Sequence, residues 1–109
     1  MRRASLVPKS GHDVTVYQVL EDFGKLGRAW REIDESKADE QSIIEGILSG
    51  EYENPIRIVA FNTEEGWSRD ATEDIAGKVL DAAKSQGCAS AATREFIKRA
   101  MGSDASSYL

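Results

Sequence analysis

A chain of 109 residues has room for one hydrophobic core and not for two. Hydrophobic residues make up 40% and charged residues 30%, ordinary globular values that exclude a wholly disordered chain and a membrane-embedded one. The net charge of −5 argues against a general nucleic-acid binder, whose phosphate contacts need a basic face. The longest apolar run, around Ile58 to Phe61, falls far short of the roughly 20 residues of a membrane span.

The opening "MRRASLVPKSGHD" is basic like the start of a signal peptide, yet only Leu6 and Val7 precede Pro8 and Lys9, so it has no apolar segment for export. Residues 1–12 are expected to be a disordered leader, and the "RRASL" within it a chance likeness to a kinase site. Residues 13–101 should form a single α/β domain and 102–109 a flexible tail. The single cysteine, Cys88, has no partner for an internal disulfide, which suits a cytoplasmic protein.

The stretch "DVTVYQVLEDF", residues 13–23, carries apolar residues on both alternating sets, Val14, Val16 and Leu20 against Tyr17, Val19 and Phe23. It predicts a strand covered at least partly on both faces. The glycines of "GKLG" then turn the chain into "RAWREI", residues 28–33, read as the second arm of a hairpin. Leu26, Trp30 and Ile33 also fall at helical spacing, so helix is the competing reading. As a strand, Ala29, Arg31 and Ile33 share one face and Arg28, Trp30 and Glu32 the other.

Asp39 is placed to cap a short helix whose apolar stripe is Ile43, Ile44, Ile47 and Leu48, with Gly50 ending it. Pro55 opens "PIRIVAF", a third strand. Asp70 with Glu73 resembles a capping box for a second helix, with Ile75, Val79, Leu80 and Ala83 inward, an Asp74–Lys78 pair, and Gly87 as its stop. A third helix, about Ala91 to Met101, should turn Phe96, Ile97, Ala100 and Met101 inward. The expected order is β-β-α-β-α-α, an α+β fold of α/β-like character. Its three-stranded sheet has order 2-1-3 and is covered by helices, with strand three beyond strand one and parallel to strand two.

Catalytic chemistry finds little purchase in this pattern. Nucleophilic catalysis needs a base beside the nucleophile, and the single histidine, His12, lies in the leader. His12 and Cys88 lack zinc-ligand spacing, and the acids of "EIDESKADE" lack that of a calcium loop. No catalytic residue, metal or cofactor is expected; acids sharing the loop of Glu64, Glu65 and Asp70 leave a small carboxylate-based enzyme as the remotest reading.

The best candidate site is the loop within "AFNTEEGWSRDATEDIA", residues 60–76, read as joining a strand to a helix, where free N–H groups favour anions. There Asn62 and Thr63 can orient polar groups, Trp67 can stack on a ring, and Ser68 and Arg69 suit an anion. Each also has a structural role: Asn62 and Thr63 end the strand, Gly66 turns, Trp67 folds back on the core, and Asp70 caps the helix. Arg28 and Arg31 on one sheet edge and Arg57 on the other fit ion pairing and edge protection, and an unpaired edge can also accept a partner strand.

The stretches "VYQVLEDFGKLGRAWREID" and "YENPIRIVAFNTEEGWSRDATEDIA" resemble those of a family of small uncharacterised bacterial proteins, mainly alphaproteobacterial. The likeness spans roughly Val14 to Phe96, implies a cytoplasmic bacterial protein, and brings no activity, ligand or assigned residue. The leading expectation is a non-catalytic interaction or regulatory module, homodimeric or protein-binding through a strand edge, with no nucleic-acid or membrane partner. The alternative is a small-ligand or anion-binding domain using residues 62–70.

Overall fold

A computed structural model describes residues 15–102. The leader and nearly all of the tail, with His12 among them, lie outside the described residues. The elements run β1 (Thr15–Asp22), β2 (Arg28–Trp30), α1 (Glu40–Ser49), β3 (Pro55–Asn62), β4 (Trp67–Asp70), α2 (Thr72–Gln86) and α3 (Ala91–Met101), with short 3-10 turns at Gly24–Leu26 and Glu35–Lys37. The four strands form one sheet of order β2-β1-β3-β4, each paired antiparallel to its neighbour.

The α+β character and the 2-1-3 core of the sheet match the sequence expectation, and β3 runs beyond β1 parallel to β2. The expected three strands are corrected to four. What reads as a strand-to-helix loop contains β4, paired with β3 through Val59 to Asp70, Ala60 to Arg69, Phe61 to Ser68 and Asn62 to Trp67. Arg57 therefore lies on an inner strand and not on an edge. Residues 28–33 resolve as strand over Arg28–Trp30 alone, the pairing ending at Leu20 opposite Trp30.

Alternation decides which way each strand faces. Tyr17, Val19 and Glu21 of β1 and Ile58, Ala60 and Asn62 of β3 are buried. All three helices pack on that side, joining Ile43, Ile44 and Ile47 of α1, Ile75, Ala76, Val79 and Leu80 of α2, and Phe96 and Ile97 of α3 into one core. Met101 departs from expectation: at the last turn of α3 it is 37% exposed.

The helix ends follow local chemistry. Asp39 accepts a hydrogen bond from the Ser42 N–H at 3.1 Å, and Gly50 leaves α1 with φ 88°, a left-handed conformation that side chains rarely adopt. Ser90 caps α3 by accepting from the Thr93 N–H at 3.1 Å. At α2 the expected capping box is corrected. Ala71 occupies the cap position, and Asp70 ends β4 while accepting from the Thr72 N–H at 2.9 Å and lying 2.6 Å from its hydroxyl. The Thr72 hydroxyl in turn accepts from the Ile58 N–H at 2.8 Å, stitching the helix start to the inner strand.

Two features at the other end of the sheet were invisible as sequence signals. Glu21, 2% exposed, accepts from Arg31 Nη1 at 2.5 Å and from the Asn54 N–H at 2.8 Å. One buried carboxylate thus joins β1, the segment after β2 and the approach to β3. Arg31 also lies over the Tyr52 ring, 4.9 Å from its centroid, a cation–π contact that extends the network. Tyr52 in turn packs on α1 at Gly46, where an added Cβ would fall 2.5 Å from the ring.

Candidate interaction surface

The expected loop site is dispersed by the hairpin. Residues 63–66 form a tight turn, with the Gly66 N–H donating to the Asn62 carbonyl at 2.8 Å and Gly66 at φ 76°. Asn62 is 4% exposed; its Oδ1 accepts from the Glu65 N–H at 2.8 Å, so the side chain builds the turn. Thr63 is exposed in the turn. Trp67 does not fold into the core: it is 36% exposed, its indole N–H donating to Glu65 at 2.8 Å. Ser68 lies opposite Phe61, and Arg69 reaches Asp74 at 3.7 Å. Five residues expected to converge on a ligand lie along a turn and an edge strand, and none of them stands at the N-terminus of α2.

Two polar concavities elsewhere hold charged pairs of their own. A cavity of about 460 Å³ opens between β3, α2 and α3, with Arg57, Asp70, Thr72 and Arg99 on its walls. There Arg57 pairs with Asp70 at 3.0 Å, Thr72 with Asp70, and Arg99 with Asn54 at 3.0 Å. Hydrogen bonds from the Thr72 hydroxyl and N–H, with the Arg57 charge adding less, hold the Asp70 carboxyl below the usual carboxylate range, as expected of a group already satisfied. A second cavity, of about 620 Å³, is lined by Glu21, Asp22, Arg31, Glu51 and Glu53. Glu21 and Arg31 are committed to each other there. Among the described residues no group of three or more His, Cys, Asp or Glu side chains is placed to hold a metal ion.

The feature without an internal use is the face of the sheet opposite the helices. An antiparallel sheet with one face in water ordinarily alternates apolar inward with polar outward. Here Val16 stands opposite Phe61 and Gln18 opposite Val59, while Leu20 lies between Trp30 and Arg57. Strand alternation puts these residues on the far side from Tyr17, Val19, Ile58 and Ala60. Val16, Leu20, Val59 and Phe61 are half-buried by their neighbours and take no part in the helix-covered core, and Trp30 is 49% exposed. No described helix covers them.

Charge surrounds this apolar centre without favouring one sign. Asp70 and Ser68 extend the face onto β4, Arg57 pairs with Asp70, and Asp22 stands opposite Arg28 at the other end. The two edges of the sheet are poorer docking rails: β2 has three residues and β4 four, all of them exposed, with Arg28, Arg69 and Asp70 among them. Both apolar sets of β1 were expected to be at least partly covered, so the open face was not legible as a surface, although its apolar residues, Val16, Leu20, Val59 and Phe61, were.

No protein-family model, no curated protein and no solved structure matches the chain. No helix among the described residues is long and apolar enough to cross a membrane.

Proposed function

We propose that the protein is a non-catalytic interaction module that presents the open sheet face to a protein partner. One observation carries this reading: outward positions that water would ordinarily claim hold Val16, Leu20, Trp30, Val59 and Phe61. The polar cavities add to it from the other side, since Arg57 with Asp70, Arg31 with Glu21 and Arg99 with Asn54 are each engaged within the fold. The bacterial family resemblance agrees with a cytoplasmic setting and adds no activity.

A photo-crosslinking side chain at position 59, with one at position 81 on the exposed side of α2 as control, tests the reading in cells. Adducts are expected from position 59 and not from position 81. Adducts from neither position, or equal adducts from both, would contradict it.

A further inference from the structure

Resting on that reading, we propose that the occupant of the open sheet face is a second copy of the same chain, packed face to face about a two-fold axis. A two-fold interface sets one patch against itself, so it must be self-complementary: apolar where it meets itself, and balanced in charge around that centre. The open face has both properties. Its apolar centre is Leu20, Val59, Phe61, Val16 and Trp30, and both signs stand beside it as Arg57 with Asp70 and Arg28 with Asp22.

In such a dimer Arg57 can exchange its exposed Asp70 for the partner's Asp70, which keeps both charges paired as water leaves. A strongly acidic or basic partner would match half of this rim and clash with the other half. A net charge of −5 opposes an anionic lipid surface and, more weakly when salt screens it, a second copy, so association should strengthen as salt rises.

Size sets the strength of the association. Four strands about 4.8 Å apart and three outward-facing rows about 6.7 Å apart make a patch of roughly 20 Å by 20 Å. That is about 400 Å² on each copy, half the roughly 800 Å² of a standard interface, so the association is a weak, transient one that depends on concentration. The exposed Phe23 and Leu26, just beyond β1, add apolar area at one end of the sheet.

Sedimentation equilibrium of the purified full chain, from micromolar up to about 1 mM, tests the proposal. The expected result is a reversible rise from single to doubled mass. Trp30→Glu and Val59→Lys, the latter standing opposite Asp70, should each hold the mass at one copy, with circular dichroism unchanged because neither side chain enters the helix-covered core. Collisional quenching of Trp30 should fall as the dimer forms. Three results would overturn it: a single-copy mass throughout the range, a doubled mass that survives both substitutions, or a single-copy mass with Trp30 already shielded, which would point to the leader as the cover. If a heterologous adduct from position 59 accompanies a single-copy mass, the second copy is wrong while the open face remains the interaction surface. If position 59 is silent as well, both readings fail.

Discussion

Trp67, half out in water on an edge strand, and Gly46, pressed against an aromatic ring, are opposite settings for a substitution. Trp67 was expected to fold back on the core; instead it begins an edge strand, and its indole N–H is held by Glu65. The stretch "WSRD" shows no apolar alternation and ends in an Asp that mimics a helix cap, so β4 has no sequence signal of its own. Because the ring is 36% exposed, Trp67→Ala should cost about 1 kcal/mol or less, well short of the roughly 3 kcal/mol of a buried aromatic. A urea titration read by circular dichroism checks it. Gly46 carries the opposite lesson. Ala at an interior helix position normally gains about 1 kcal/mol over Gly. Here the Cβ meets the Tyr52 ring at 2.5 Å, and Arg31 lies over that ring. Gly46→Ala should therefore destabilise by about 1–2 kcal/mol, seen as a lowered Tm.

At the scale of elements, the helices and inner strands were legible because their signals are local: Asp39 and Gly50 bracket α1, Gly87 ends α2 and Ser90 starts α3. Pairings distant in sequence were not. Glu21 lies 33 residues from Asn54 and 10 from Arg31, and no local pattern marks it as buried. Glu21→Ala leaves the Asn54 N–H and the part-buried Arg31 without their acceptor and should cost about 2–3 kcal/mol, measured by denaturant unfolding. The Asp39 carboxyl is held below its usual range by the hydrogen bond with the Ser42 side chain foremost, and Asp70 by those of Thr72. A carboxyl depressed in the fold adds stability that is complete above its unfolded pKa and fades as pH falls through the folded value. Asp39→Ala and Asp70→Ala should thus each cost about 1 kcal/mol at neutral pH, and the difference from the unmodified chain should shrink below about pH 4. Thermal melts from pH 7 down to pH 3 follow that convergence.

For the whole molecule, the helices all lie on one side of the sheet, and this leaves β1 and β3 with apolar residues on both faces but one cover. The double apolar character of β1 was legible in the sequence, and the natural inference was cover on both sides. That the helices would cover one face was legible as well; what was not is that Val16, Leu20, Val59 and Phe61 would be left on the other, because the pattern does not say which of two apolar sets the helices take. The setting of the candidate ligand loop was misread for a related reason: Asn62 to Arg69 were placed between a strand and a helix, and a four-residue strand intervenes. The same strand extends the sheet to four and widens the uncovered face.

The most direct test of that surface is the concentration dependence of amide chemical shifts in ¹H–¹⁵N spectra of the full chain. Val16, Gln18, Leu20, Trp30, Val59 and Phe61 should shift together on dilution, while the exposed residues of α2 and α3 stay fixed. Shifts confined to the β4 edge, Trp67 to Asp70, or spectra that do not change with concentration, would contradict association through the open face.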